Sequence, residues 1–201
     1  MTALSPTIIK EFCGTCDWVH SSWMIHRTIF DDNTDLESLK HVKSVAFLSH
    51  LNTISKEYVF LQLAKLHDPA IIRGNKNLSL EYIVEYGGWD AVTLATLRKL
   101  HNELNRFANL IKPARHKMYA HFDLNSLIDN HVLGAFEIGD DVKYFNALQE
   151  FVNIVYDKAI GGPCPFSTYG EMDAQIFLEE FYCGANKSLE SVPFGNMGGE
   201  K

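Results

Sequence analysis

The chain has 201 residues with 18 Lys and Arg against 25 Asp and Glu, a net charge of −7, and 46% hydrophobic residues. That make-up suits one ordinary folded domain, and the acidic balance excludes nucleic-acid binding through general surface basicity. No run of about eighteen apolar residues could cross a membrane and no basic-then-apolar leader opens the chain, so a cytoplasmic protein with no membrane partner is expected. The cysteines, at 13, 16, 164 and 183, fit reduced thiols rather than a disulfide framework.

The elements read as helices throughout. A first helix over 6–30 starts at Ser5 and Pro6 and repeats Ile9, Phe12, Cys16, Val19, Trp23, His26 and Phe30 at three- and four-residue steps. Cys13, Cys16 and His20 share a stripe of this helix; without a second Cys-x-x-Cys to complete a ligand set, they read as a small apolar face, and no metal is assigned. After the polar run Asp31 to Asp35, a long helix over 36–66 is expected to be covered on two sides, through Leu39, Val42, Ala46, Ser49, Thr53, Lys56, Phe60, Leu63 and Leu66. His41 and His50 within it read as surface or satisfied histidines. Asp68-Pro69 stops this helix, and 70–78 reads as a polar loop.

Ser79 caps a short helix over 80–86 that ends at Gly87-Gly88. Asp90 caps the next, over 91–111, where Leu97, Leu100, Leu104, Phe107 and Ile111 form a seam. Pro113 then separates it from a further helix. A short turn of helix over 124–130, a helix over 140–158 and a last one over 169–182 follow. In the helix over 140–158, Val142, Phe145, Leu148, Phe151, Val152 and Val155 should face inward; in the last, Met172, Ile176, Leu178 and Phe181 should dock. The reading is one all-α domain over 1–183 with a disordered tail over 184–201, rich in Gly, Ser and Asn. No strand pair, repeat or Gly-rich phosphate loop is recognised.

The chemistry concentrates between Lys112 and Asp123. From Arg98 to Lys117 the basic residues are 98, 99, 106, 112, 115 and 117, against the single acid Glu103. If a helix starts at Pro113, Arg115 lies in its first turn, and at about 100° per residue His121 is roughly 120° away around the axis. Both side chains could then reach one phosphate. A neutral imidazole can take the proton of a ribose 2′-OH, and a guanidinium can neutralise the charge that builds on the phosphate oxygens. The same residues also fit an ordinary solvated helix face, and spacing alone leaves both readings open.

The run Arg115-His116-Lys117-Met118-Tyr119-Ala120-His121 resembles the signature of the HEPN superfamily, an Arg with a polar neighbour and a His four to six residues on. Ala120-His121-Phe122-Asp123 is similar to the ending found in its abortive-infection U-type branch. So is the upstream block Leu63 to Pro69 with Asn77-Leu78-Ser79-Leu80. The resemblance covers roughly 10–160. It implies a helical bundle of the HEPN type, here with an additional C-terminal helix, that pairs as a homodimer and brings two motifs into one cleft. It implies Arg115 and His121 as catalytic residues, His116 as the polar neighbour and Asp123 as orienter of His121, with Tyr119 in support. Lys112, Lys117 and Arg106 are the candidate RNA-phosphate contacts. Some relatives carry a modified Tyr two residues after the His; Asp123 stands there instead, which leaves that regulation without its residue.

The functional expectation is a metal-independent endoribonuclease of the toxin or phage-defence kind, without cofactor, acting on RNA and held by an antitoxin partner protein. The alternative is a catalytically silent helical module that binds RNA or a partner. A third reading is a structural dimer tied by Arg115 and Asp123.

Overall fold

The computed structural model describes residues 3–34, 45–114 and 136–190. Within them the chain is helical, as expected, with one minimal hairpin. Helix α1 (Pro6–His26) starts as its sequence dictates: the Ser5 hydroxyl accepts from the Ile8 amide at 3.4 Å, and Pro6 occupies the first turn, where its missing N–H costs nothing. Its buried stripe is Ile9, Phe12, Cys13, Cys16, Val19, Trp23 and His26. The expected single helix to residue 30 changes winding at its end. Arg27–Asp31 form a π turn, closed by the Asp32 amide donating to the Arg27 carbonyl at 2.8 Å.

Helix α2 (Val45–Leu66) buries Leu48, Val59, Phe60, Leu63, Ala64 and Leu66, so its covered part is mainly the second half. Ala46, Ser49, Thr53 and Lys56, expected within the covered pattern, are exposed. The first half leaves Val45, Phe47 and Ile54 in solvent, because no described element packs over them. His50 is exposed as expected, whereas His41 and the rest of 35–44 lie outside the described residues.

The segment expected as plain loop contains an antiparallel pair, β1 (Ile71–Ile72) and β2 (Asn75–Lys76), in register Ile71 to Lys76 and Ile72 to Asn75. The two residues between them both have positive φ, Arg73 at 50° and Gly74 at 85°, the combination that a tight hairpin turn requires. Two-residue strands are too short to show an alternating pattern, which is why the sequence reads as loop.

Helix α3 (Leu80–Tyr86) is capped by Ser79, whose hydroxyl accepts from the Tyr82 amide. Beyond it the Trp89 indole N–H donates to the Ile83 carbonyl at 2.8 Å and lies across Gly87, where a Cβ would overlap the ring. Helix α4 (Ala91–Ala114) is capped by Asp90, which accepts from the Val92 and Thr93 amides and the Thr93 hydroxyl. Its seam of Leu97, Leu100, Leu104, Phe107 and Ile111 is buried throughout. The expected break at Pro113 does not occur within the described residues. The helix continues through Pro113 to Ala114; one proline near a helix end removes a hydrogen bond without ending the winding.

Helix α5 (Asp140–Ala159) buries Phe145, Leu148, Phe151, Val152 and Val155 as expected, but Val142 is exposed, and Asp141 and Tyr144 are inside instead. Helix α6 (Tyr169–Glu190) runs past its expected end at 182, so 184–190, assigned above to a tail, are helical. It lies against α1 and the π turn. Over 169–184, where burial is described, its buried residue is Ala174, while Met172 and Ile176, expected to dock, face outward and Leu178 and Phe181 are half-buried. The close approach explains the choice: Gly170 sits on Ile25 and Ser21 of α1, so small residues line this contact. The turn of helix expected at 124–130 and residues 191–201 lie outside the described residues.

The core forms where α1 meets α2 and α5, and α5 meets α4. Edge-on rings fill it, Phe12 with Phe151 at 6.0 Å and Tyr144 with Phe145 at 5.2 Å. Cys13 and Cys16 belong to this core, and burial pushes the Cys13 thiol up to about 12 and that of Cys16 also well up. They are packing groups, as their stripe suggests, and His20 beside them stacks on Phe166 at 4.8 Å.

A Gly87→Ala variant should lose about 1–3 kcal/mol of stability in chemical denaturation, because the new methyl group displaces the Trp89 indole. Unchanged stability would mean that the indole does not need this bed.

Candidate functional site

Helix α4 delivers the charged segment. Its seam turns inward along α5, which leaves Arg98, Lys99 and Arg106 on the outer side, all exposed. Lys112, half-buried two residues before the end of the described helix, donates to Asn109 Oδ1 at 3.1 Å. The motif follows directly. Arg115, His116, Lys117, Tyr119, His121 and Asp123 all lie outside the described residues. Of the sequence-derived set, Arg106 and Lys112 are therefore the members whose positions are described.

Along the part of α4 that precedes the motif in sequence, α4 and α5 flank an open cavity of about 370 Å³. Leu104, Phe107 and Leu110 of α4 and Ala147 of α5 make its apolar lining. Charged groups stand around it: Glu103 and Arg106 from α4, Asp140 and Lys143 from α5. The last two pair with each other at 2.9 Å. That hydrogen bond lowers the Asp140 carboxyl from its ordinary value and raises the Lys143 ammonium. Glu103 and Arg106 have no hydrogen bond or ion pair among the described residues.

Behind the cavity runs a buried polar chain that the motif search does not reveal. The Tyr144 hydroxyl donates to His67 Nε2 at 2.9 Å, His67 Nδ1–H donates to Asn105 Oδ1 at 2.8 Å, and Asn105 Nδ2 donates to His101 Nε2 at 3.0 Å. These bonds are mutually consistent with a single neutral tautomer of His67. Burial pushes His67 down to about 4, against the hydrogen bond to Asn105, and the charges of His101 and Lys112 act in the same direction. Burial also lowers His101. In the opposite sense, burial raises the Tyr144 phenol well above its ordinary value. The chain is thus neutral near pH 7 and ties the end of α2 to both α4 and α5. Its sequence signal was present but unassigned, since His67 stands in the Leu63 to Pro69 block.

A second polar tie joins α1 to α5. Asp141, 7% exposed, accepts from the Trp23 indole at 3.2 Å and from Arg27 at 3.3 Å, while Arg27 Nε also pairs with Asp32 at 2.7 Å. Periodicity could not find it, because Asp141 looks like a first-turn helix acid.

Among the described residues, no group of three or more His, Cys, Asp or Glu is placed to hold a metal ion, and no helix is long and apolar enough to cross a membrane. What these features define is a helical bundle in which α4, held by a buried seam, runs to Ala114, the residue before the Arg–His segment in the sequence. The HEPN family model described as AbiU2 matches residues 8–178, and the chain belongs to that family. No curated protein and no solved structure matches it.

Two outcomes follow from the polar ties. The unfolded chain binds a proton at His67 below about pH 6.5 that the folded protein takes up only below about 4. Stability should therefore fall as pH drops through this window, by on the order of 3 kcal/mol for this group. Denaturation midpoints at pH 7 and pH 4.5 measure the slope, and His67→Gln should flatten it. Asp141→Ala should cost about 1–3 kcal/mol at pH 7, because it leaves the Trp23 N–H without its acceptor and takes from Arg27 one of its two carboxylate partners; a smaller loss in thermal unfolding would show that solvent replaces the carboxylate.

Proposed function

We propose that this chain is a metal-independent endoribonuclease of the toxin or phage-defence kind, working in the cytoplasm as a homodimer. The observation that carries the reading is the family match over 8–178, which spans the Arg115 to His121 motif. The setting supports it: the motif continues from α4, whose outer face carries Arg106 and whose last turns carry Lys112.

In this reading His121 accepts the proton of a ribose 2′-OH, and the resulting oxygen attacks the adjacent phosphorus. Arg115 donates to the two non-bridging oxygens as charge builds there. The 5′-oxygen leaves with a proton from His116 or from His121 of the second copy, giving a 2′,3′-cyclic phosphate and a 5′-hydroxyl. Asp123 orients His121, Tyr119 lies between the two principal residues in sequence, and Lys112 and Lys117 hold flanking phosphates. One imidazole cannot serve as base and acid in the same step, so a second is required, and where His121 of the second copy supplies it the two motifs must act together. Restraint by an antitoxin partner fits a nuclease of this kind.

The test is incubation of the protein and its His121→Ala variant with a mixed RNA pool in excess EDTA, followed by end-group analysis. Cyclic-phosphate ends from the parent should fall on the order of a hundredfold or more in the variant. Full activity in the variant would remove His121 from catalysis. RNA retained but never cut by either protein would make the chain a silent RNA-binding module.

A further inference from the structure

We propose that the cavity between α4 and α5 is a guanine-binding subsite, through which the chain selects guanine in the RNA it cleaves; the inference rests on the ribonuclease reading above. A volume of about 370 Å³ lies at the small end of ligand sites, which span roughly 300–1,000 Å³. That suits a single nucleotide better than a peptide segment. The apolar lining from Leu104, Phe107 and Ala147 offers a base face the contact it loses on leaving a stack.

The choice of base comes from Glu103 and Arg106. They stand three residues apart on α4, a spacing that puts their Cβ atoms about 5–6 Å apart on one side of the helix. Both line the cavity, yet among the described residues neither pairs with the other or with any third group. The neighbouring Asp140 and Lys143 pair with each other at 2.9 Å, so the charged groups left at this cavity for a ligand to meet are Glu103 and Arg106, both open to solvent. A carboxylate accepts best from two adjacent N–H groups, and guanine presents them at N1 and N2 on its Watson–Crick edge. Its O6 and N7 accept from an arginine fork on the next edge. Adenine and cytosine set one amino group beside a ring acceptor that repels a carboxylate, and uracil has one N–H between two carbonyls. Guanine alone answers both charges. Arg106 thereby becomes a base-edge contact rather than a phosphate contact.

The experiment is calorimetric titration of the full chain with 5′-GMP, 5′-AMP, 5′-CMP and 5′-UMP, which contain no bond to cleave. GMP should bind at least tenfold tighter than the other three. Glu103→Gln should lose at least tenfold for GMP and leave AMP unchanged. Leu110→Trp, at a lining position already 44% exposed, should block GMP without changing the melting temperature. Equal binding of GMP and UMP, no saturation by any mononucleotide, or a Glu103→Gln variant that binds GMP normally would overturn the proposal. The two readings fail separately. GMP selectivity in a protein that never cuts RNA would remove the nuclease and leave the subsite, whereas cutting without GMP selectivity would remove the subsite alone.

Discussion

The seam of α4 against α5 is the constraint on which the rest of the molecule depends. Leu97, Leu100, Leu104, Phe107 and Ile111 are each at most 6% exposed, and burying one such side chain is worth roughly 1.5–3 kcal/mol. With those residues turned inward, Arg98, Lys99 and Arg106 must turn outward. The polarity of the helix is thus a by-product of its packing. A chain that is acidic overall can offer a basic strip in one place because a buried seam leaves the other face free for it.

Polar groups inside the bundle fix how its helices meet. Apolar contacts tolerate sliding, but a buried hydroxyl or imidazole must meet its partner or lose on the order of 1–3 kcal/mol. His67 answers to Tyr144 and Asn105, and Asp141 answers to Trp23 and Arg27. The loop after α5 is held in the same manner. Gln149 accepts from the Phe166 amide at 2.6 Å and Asp17 accepts from the Ser167 amide at 2.6 Å, which sets where α6 begins. These bonds tie the end of α2 to α4 and α5, the end of α1 to the start of α5, and the loop before α6 to α1 and α5.

Much of this was legible in the residues. Ser5, Ser79 and Asp90 cap helices because each offers an oxygen to amides that the first turn leaves unpaired. The α4 seam shows in its spacing because one side of that helix is buried and the other is not. Helix α2 misleads for the opposite reason: its first half is apolar without being covered, so a pattern drawn from the sequence overstates its burial. Met172 and Ile176 mislead likewise, since both face outward while α6 comes close to α1 at Gly170, and Leu178 and Phe181 are half-buried. The candidate site was legible as a motif, while its neighbourhood was not. The cavity and the His67 chain join residues from α2, α4 and α5, and contacts between distant segments leave no periodic trace.

The π turn at Arg27–Asp31 also bears on how this chain can change in length. A π turn holds one residue more than the α-helical turn it replaces, and each residue advances the helix by about 100°. Losing a residue within 27–31 would therefore restore ordinary winding at the end of α1 and leave the stripe from Ile9 to His26 in place. The same loss between Phe12 and Trp23 would swing half of that stripe into water. The end of α1 is thus a place where the chain can change by one residue without disturbing the stripe that packs the core.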